Sequence, residues 1–368
     1  MTFTQYGRHL EAYPWDKLAP LKARAEERGL CDLSIGTPVD PTPQVVQDAL
    51  SAGADSHGYP TTAGTPQLRE AIAGWYSRSR GVDVAPDAIL PTVGSKELVA
   101  WLPTLLGLKE LGLAVAGPSL AYPTYRMGAT IAGVEFRQLD AHEIAEGASL
   151  EGVGLVWLNS PANPTGRVLD AQTLRKVVEA TRKAGVVVAS DECYALLNWE
   201  AQAPSLLDPA VAGDDHTGLL SVYSLSKQSN LAGYRAAFVA GDQNLISDLI
   251  NTRKHAGMIV PGPVQTTMIA ALQDSEHVVA QKETYHARRD LLKPALEAWG
   301  MTIDHSEAGL YLWCTRGDDC WDTLSDLADL GILAGPGIIY GENGAQYVRV
   351  ALTGSDDTIR TVAERLSN

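Results

Sequence analysis

The sequence predicts an α/β protein with a mostly parallel, doubly wound sheet of seven strands, followed by a smaller α+β unit. Short apolar runs alternate with helical stretches up to about residue 240. Strands that alternate with helices in this way usually pair in parallel. After about residue 245 the pattern changes to long helices and a few short strands. A chain of 368 residues is long enough to form two domains.

The first part of the chain leads into the predicted sheet. Residues 1–35 are irregular apart from one charged helix, and 33–38 is a short strand that runs into a turn. The strands of the large sheet are predicted at 89–94, 111–116, 134–139, 154–159, 186–190, 219–223 and 236–240. Helices are predicted at 17–28, 43–52, 66–78, from about Thr124, and at 170–184. Asp170 is the expected N-cap of the last of these, and Gly185 its stop signal.

The second part of the chain has the composition of a smaller α+β domain. Its helices are predicted at 244–254, 261–272, 276–299, 321–330 and 356–366, with strands at 310–315 and 347–352. We expect an N-terminal segment (1–40) that joins the small domain and the functional site, a large domain (41–250) and a small C-terminal domain (251–368).

Composition excludes several classes of protein. The net charge of −15 argues against binding to nucleic acid or to an anionic membrane, and favours a cytoplasmic protein. Neither a signal-peptide core nor a run of 18 apolar residues is present, so neither export nor a membrane span is predicted. The cysteines form no CxxC pair and no cluster with histidine, so we expect neither a metal site nor disulfides; they are Cys31, Cys193, Cys314 and Cys320.

Polar side chains follow three consecutive predicted strands. Asn163 follows 154–159, Asp191 and Tyr194 follow 186–190, and Lys227 follows 219–223. Ligands of doubly wound sheets bind at the carboxyl ends of the strands, where these side chains should converge. A lysine with a desolvated amine forms Schiff bases readily. Each residue alone also has a simpler interpretation: a turn for Asn163, a helix cap for Asp191, a core position for Tyr194 and a surface loop for Lys227.

A candidate anion site follows the strand at 89–94. Gly94 allows the backbone to approach a ligand, and Ser95 is the predicted N-cap of the next helix. The amino end of a helix binds anions, although a glycine turn of this kind is common in α/β proteins. Arg235 could supply a cation to the same site or form a surface ion pair.

Together, Asn163, Asp191, Tyr194, the run Ser224-Leu-Ser-Lys227 and Gly233-Tyr-Arg235 resemble the pyridoxal-phosphate-dependent aminotransferases of fold type I, class I/II. The resemblance covers essentially the whole chain, and the Ser-x-Ser-Lys motif followed by Gly-x-Arg is its most specific part. It implies pyridoxal 5'-phosphate as cofactor and small amino acids and 2-oxo acids as substrates. It also implies a homodimer with shared active sites.

The resemblance also implies residue roles. Lys227 would bind the cofactor as a Schiff base and act as general base and acid. Asp191 would pair with the ring nitrogen, while Tyr194 and Asn163 would bind the phenolic oxygen. The remaining cofactor contacts would come from Gly94, Ser95, Lys96, Tyr122, Ser224, Ser226 and Arg235, and from Tyr59 of the partner subunit. Gly36, Asn163 and Arg349 would bind the substrate carboxylate. Tyr122 could instead be a turn residue beside Pro123.

Residues 13–66 are similar to the actinobacterial N-succinyldiaminopimelate aminotransferases of diaminopimelate and lysine biosynthesis. This similarity implies glutamate and 2-oxoglutarate as the amino-donor pair, and N-succinyl-LL-2,6-diaminopimelate and its 2-keto form as the other substrate pair. A distal carboxylate would need a second anchor, for which Arg126 and Lys17 are candidates, although both could be ordinary surface charges. Other reactions on the same scaffold are aspartate, alanine or aromatic transamination and a carbon–sulfur β-lyase. A further alternative is the non-catalytic aminotransferase-like module of a transcription regulator. That module would need an added helix-turn-helix domain, and the acidic charge of this chain opposes it.

Overall fold

The computed structural model describes residues 14–367, so the predictions made for the first 13 residues lie outside the described part of the chain. The strands are β1 (Cys31–Asp32), β2 (Ile89–Val93), β3 (Ala114–Gly117), β4 (Phe136–Gln138), β5 (Val153–Asn159), β6 (Val187–Asp191), β7 (Leu219–Ser224), β8 (Ala236–Gly241), β9 (Thr302–Asp304), β10 (Tyr311–Thr315), β11 (Ile332–Leu333), β12 (Gly335–Pro336) and β13 (Tyr347–Ala351).

The helices are α1 (Ala19–Glu26), α2 (Gln44–Ala52), α3 (Pro66–Arg80), α4 (Ser95–Leu105), α5 (Leu108–Leu111), α6 (Thr124–Ala132), α7 (Ala141–Ala145), α8 (Ala171–Ala184), α9 (Pro209–Ala212), α10 (Leu225–Gln228), α11 (Gln243–Ala256), α12 (Gly262–Gln273), α13 (Glu276–Ala298), α14 (Cys320–Asp329) and α15 (Asp356–Ser367). None of the helices within residues 14–367 is long and apolar enough to cross a lipid bilayer.

The large sheet has seven strands in the order β2-β8-β7-β6-β5-β3-β4. Strand β8 runs antiparallel to both of its neighbours, and the other pairs are parallel. Every residue of β5 and β7 is buried, as expected for strands with helices on both faces of the sheet. The predicted α/β fold with a mostly parallel, seven-stranded sheet is therefore confirmed.

The register of the central strands brings their carboxyl ends together. Asn159, the last residue of β5, lies opposite Asp191, the last residue of β6, and Asp191 lies opposite Val222 of β7. Strand β7 runs directly into the short helix α10, which carries Lys227. The three strand ends that were expected to converge are thus adjacent along one edge.

Local sequence signals explain several boundaries of these elements. The Asp170 side chain accepts a hydrogen bond from Thr173 N at 2.7 Å, and Gly185 ends α8 with φ = 67°, as predicted. The strand predicted at 111–116 begins three residues later, because α5 extends to Leu111 and Gly112 ends it in a left-handed conformation. The prediction of Ser95 as an N-cap was wrong. Gly94 occupies that position and Ser95 is the first residue of α4.

The N-terminal segment joins the second unit of the chain. Strands β12, β13, β10 and β9 form an antiparallel sheet, and β1 pairs in parallel with β11. Leu33 N donates to Leu333 O at 2.8 Å, and Ala351 N donates to Leu33 O at 2.9 Å. The strand in this segment is therefore β1, at residues 31 and 32. The strand predicted at 33–38 is absent from the described structure.

Helix α12 belongs to the hydrophobic core of the large unit. Helix α12 packs against α2 and α3, and Met268 and Leu272 share a hydrophobic cluster with Ile72 of the large unit. The division of the chain into residues 1–40, 41–250 and 251–368 stays a proposal. Helix α12 lies within the range 251–368 but packs against helices of the large unit.

Candidate functional site

The carboxyl edge of β5, β6 and β7 is shaped by the loop after β5. Asn159 Nδ2 donates to Pro161 O at 3.1 Å and to Asp191 O at 2.9 Å, and Asn159 Oδ1 accepts from Asn163 N at 2.7 Å. These hydrogen bonds tie the Asn163 loop to the end of β6. The side chains of Asn163 and Asp191 are therefore held at the same edge of the sheet.

Lys227 lies at the centre of this edge. The residue is half-buried, and its Nζ donates a hydrogen bond to the carbonyl of Gly36, from the N-terminal segment. Burial lowers the pKa of the Lys227 amine, and the positive charges of Arg349 and Arg235 lower it further. No carboxylate within residues 14–367 forms an ion pair with it. A larger fraction of this amine is consequently neutral, and so nucleophilic, than of an ordinary lysine.

Asp191 is a buried carboxylate. Its Oδ1 accepts from Cys193 N at 3.2 Å and its Oδ2 from the Tyr125 hydroxyl at 2.9 Å. Burial raises the pKa of Asp191, and these two hydrogen bonds offset only part of that effect. In the described part of the chain both of its partners are neutral. A buried acid without a cationic partner suits a ligand that brings a positive charge.

Tyr125 is a site residue that the sequence analysis missed. Its side chain is fully buried, and its ring stacks on Trp157 with centroids 5.1 Å apart and an angle of 18° between the planes. The available signal was its position near the start of α6, three residues after Tyr122, on the face that turns toward the sheet. Tyr122 itself is half-buried and meets the Tyr125 ring edge-on at 5.9 Å.

Arg349 reaches the same site from β13 of the second sheet. Its Nη1 donates to Asn163 Oδ1 at 2.9 Å, and its Nη2 donates to Ser34 O at 2.7 Å. The guanidinium is buried, yet Arg349 Nε has no hydrogen-bond partner among the described residues. An arginine with an unused N–H donor can still bind a planar anionic group such as a carboxylate. Gly36, Asn163 and Arg349 are thus brought together from three separate parts of the chain.

Two tyrosine hydroxyls meet beside Arg349. The Tyr194 and Tyr311 oxygens are 3.2 Å apart, and both side chains are buried. The Arg349 guanidinium lies 3.9 Å from the centre of the Tyr311 ring. Tyr311 was also missed by the sequence analysis, in which it was only part of an apolar strand.

A second cluster, near the amino end of α4, contains the predicted phosphate ligands. A Cβ on Gly94 would overlap Arg235 Nη2, so the guanidinium lies directly against this glycine, whose φ is 74°. Arg235 Nη1 donates to Ala232 O at 2.8 Å, and the side chain is otherwise exposed. The hydroxyl of Ser224 donates to that of Ser226 at 2.9 Å. This arrangement offers a cation, two hydroxyls and a helix amino end to an anion.

Some predicted residues lie at the margin of the site or away from it. Ser95 is half-buried as the first residue of α4, and Lys96 Nζ lies 6.0 Å from the centre of the Tyr122 ring. Tyr59 is fully exposed and the single chain does not bring it to the site. Arg126 and Lys17 are also exposed, and Arg126 lies over the ring of Phe136 at 5.6 Å. Neither candidate contacts Lys227 in the described part of the chain.

The residues present suit pyridoxal phosphate. A half-buried amine and a buried carboxylate, neither with a charged partner in the described structure, lie at one edge of the sheet, and an anion cradle adjoins them. Within residues 14–367, no group of three His, Cys, Asp or Glu side chains is arranged to hold a metal ion.

Comparison with known proteins agrees with this geometry. The family model described as aminotransferase class I and II matches residues 28–366. The 4-dedimethylamino-4-oxo-anhydrotetracycline transaminase of Streptomyces rimosus is 52% identical over 98% of this chain and 100% of its own length. A protein of Mycobacterium tuberculosis named "probable aminotransferase" is 51% identical over 97% of this chain and 85% of its own. The structure of N-succinyldiaminopimelate aminotransferase from Mycobacterium tuberculosis superimposes with a TM-score of 0.84, at 26% identity over 97% of this chain and 99% of that one.

Proposed function

Because this chain belongs to the class I and II aminotransferases, which use pyridoxal 5'-phosphate, we propose that it transfers amino groups between glutamate and the 2-oxo form of N-succinyl-LL-2,6-diaminopimelate. The reaction would run in two halves, with 2-oxoglutarate released in the first. This substrate assignment rests on the structural similarity to N-succinyldiaminopimelate aminotransferase and on the similarity of residues 13–66 to that group.

The cofactor, when bound, supplies an electron-withdrawing ring that stabilises negative charge at the substrate α-carbon. Lys227 would hold it covalently, and the lowered pKa of the amine leaves more of Nζ unprotonated than in an ordinary lysine, ready to accept a proton from the α-carbon. Asp191 would accept a hydrogen bond from the protonated ring nitrogen, which gives this buried carboxylate the positive charge it lacks in the described structure. Asn163 and Tyr194 would bind the phenolic oxygen, and Ser224, Ser226, Arg235 and the α4 amino end (Gly94, Ser95, Lys96) the phosphate.

The observation that carries the proposal is that Arg349 and Lys227 both donate hydrogen bonds to the segment that contains Gly36. Arg349 donates to Ser34 O, and Lys227 donates to the Gly36 carbonyl two residues further along the same segment. An α-amino acid whose carboxylate is held by Arg349 and the Gly36 backbone would have its α-carbon close to Lys227 Nζ. Such positioning supplies much of the rate enhancement in this class of reaction.

A specific observation favours a second candidate substrate. The relative from Streptomyces rimosus, 52% identical, is named as a transaminase of a tetracycline precursor. That name describes a ketone on a large ring system, without the distal carboxylates of succinyldiaminopimelate. Neither Arg126 nor Lys17, the two candidate anchors, contacts Lys227 in the described part of the chain, which is compatible with this substrate. The same scaffold would also serve aspartate, alanine or aromatic transamination, or a carbon–sulfur β-lyase.

We further propose that the protein is a homodimer in which Tyr59 of the partner subunit completes each phosphate site. Tyr59 is fully exposed in the single chain, which is unusual for a tyrosine without a partner surface. A phenol hydroxyl from the partner subunit would add a donor to the cradle of Arg235 and Ser224.

The experiment that separates the candidates is a donor and acceptor panel on the purified holoenzyme. Glutamate, aspartate, alanine and succinyldiaminopimelate are compared at equal concentration by the rate at which bound pyridoxal converts to pyridoxamine. The pyridoxamine enzyme is then given the tetracyclic ketone. Rapid reaction with glutamate and succinyldiaminopimelate supports the proposal. Reaction with the tetracyclic ketone alone supports the second candidate, and equal rates with every donor contradict both.

A further inference from the structure

Tyr311 occupies a junction that none of the assigned roles includes. It lies on β10 with 4% of its surface exposed, and its ring meets the Tyr194 ring edge-on with centroids 5.7 Å apart. Its hydroxyl is 3.2 Å from the Tyr194 hydroxyl. In the described structure Tyr194 makes this one side-chain hydrogen bond. Removal of the Tyr311 oxygen would therefore leave a buried phenol without its partner.

Tyr311 also contacts the segment that carries Gly36. A Cβ on Gly36 would overlap the Tyr311 hydroxyl and clash with two ring carbons, so only a glycine lets this backbone lie against the phenol. The same Gly36 carbonyl accepts the hydrogen bond from Lys227. The face of the Tyr311 ring lies 3.9 Å from the Arg349 guanidinium. One side chain thus contacts the proposed carboxylate anchor, the Gly36 segment and the proposed ligand of the phenolic oxygen.

The charges around Tyr311 shift the pKa values of the two tyrosines in opposite directions. The ionisable groups that act on it are Arg349 from β13, Lys227 from α10, Asp191 from β6, Tyr194 from the following loop and Tyr285 from α13. Burial alone would raise the pKa of Tyr311, but Arg349, Lys227 and the hydrogen bond with Tyr194 together lower it. Burial and the neighbouring Tyr311 raise the pKa of Tyr194. The two shifts run in opposite directions, so Tyr311 is the member of the pair that ionises more readily.

We propose that Tyr311 is a positioning residue that couples the two halves of the site. Its ring holds the Arg349 guanidinium in the orientation that receives a carboxylate, by a cation–π contact. Its hydroxyl fixes the Tyr194 hydroxyl and the backbone of Gly36, whose carbonyl accepts the hydrogen bond from Lys227. The part of this inference that concerns substrate binding rests on the proposed function, whereas the hydrogen-bonded pair does not.

The first test needs neither cofactor nor substrate. The absorbance of tyrosinate near 295 nm is followed during a pH titration of the cofactor-free protein. We expect one tyrosine of the wild type to ionise below the usual pKa of about 10, and this step to disappear in Tyr311→Phe. Tyr347→Phe is the matched control, because Tyr347 lies on the neighbouring strand and a hydrogen bond to Asp304 raises its pKa to about 12. An early step that persists in Tyr311→Phe overturns the inference.

The second test measures the kinetic consequence with any amino donor that the wild type uses. Tyr311→Phe keeps the buried ring, so we expect a shifted pH profile of kcat/KM and little change in KM. Tyr311→Leu removes the ring as well, and we expect KM to rise by about tenfold because Arg349 loses its support. An unchanged KM in Tyr311→Leu, or a pH profile of Tyr311→Phe that matches the wild type, contradicts the inference. A wild type that uses no donor would instead count against the proposed function, while the titration still tests the tyrosine pair.

Discussion

Arg349 Nη1 donates a 2.9 Å hydrogen bond to Asn163 Oδ1, and this bond joins the small antiparallel sheet to the carboxyl edge of the large one. The two residues are 186 positions apart in the chain. The guanidinium is buried, and its Nε has no hydrogen-bond partner among the described residues. We therefore propose that this arginine binds the substrate carboxylate.

Replacement of Arg349 by lysine tests that assignment. Lysine keeps the positive charge but loses the planar set of donors, so the bonds to Asn163 and Ser34 cannot both form with a carboxylate also bound. We expect KM for glutamate to rise by about 10- to 100-fold, with a smaller change in kcat. Arg316→Lys, in an exposed ion pair with Asp326, should leave both constants unchanged. An equal effect of the two variants would rule out a specific role for Arg349.

Lys227→Ala tests the attachment of the cofactor. Reduction of the wild-type holoenzyme with borohydride should add the mass of the cofactor to a peptide that contains Lys227. The alanine variant should show no such adduct and should lose activity by about 10²- to 10⁴-fold. Lys176→Ala, on the exposed surface of α8, is the control. A stable adduct on another lysine of the Lys227→Ala variant would show that the attachment site is elsewhere.

Asp191→Asn tests the cost of burying a carboxylate. A raised folded-state pKa means that the charged form is disfavoured in the folded protein. The stability that Asp191 contributes is present below its unfolded pKa of 3.8 and is lost as the pH rises through the folded value. At pH 7 the cofactor-free variant should thus melt a few degrees above the wild type, and this difference should vanish at acid pH.

The same variant should hold the cofactor less tightly, because asparagine offers no negative charge to a protonated ring nitrogen. Asp83→Asn, at an exposed position before the large sheet, should change neither property. A cofactor-free Asp191→Asn protein that melts below the wild type at pH 7 would mean that the carboxylate has a cationic partner.

Mixed dimers test the shared site. We expect Tyr59→Ala and Lys227→Ala to be poorly active alone. When the two variants are mixed and allowed to exchange subunits, half of the sites in each hybrid receive both native residues, so activity should return. A mixture of Asp191→Asn and Lys227→Ala is the control, because those residues belong to the same subunit's site and no hybrid site is intact. No recovery in the first mixture would place Tyr59 outside the partner's site.

The sequence predicted best the residues whose position follows from strand order alone. The ends of β5, β6 and β7 were expected to converge because parallel strands align their carboxyl ends, and the register places Asn159 opposite Asp191. Tyr311 could not be found in this way. Its contact with Tyr194 spans 117 residues and depends on how β10 packs against the large unit. Tyr125 needed knowledge of which face of α6 turns inward.

The distal substrate anchor was beyond the sequence for a similar reason. Arg126 lies four residues after Tyr122, but the turn of α6 carries it outward over Phe136. A second subunit could also supply such a group, and a single sequence does not indicate which surfaces meet.

The most direct test of the account is a half-reaction of the holoenzyme with glutamate in the absence of any acceptor. Aminotransfer that depends on Lys227, Asp191 and Arg349 predicts conversion of bound pyridoxal to pyridoxamine with release of one equivalent of 2-oxoglutarate per site. The same mixture should revert when a 2-oxo acid is added. An unchanged absorbance with glutamate, together with release of pyruvate from cystathionine, would contradict the account and identify a carbon–sulfur lyase instead.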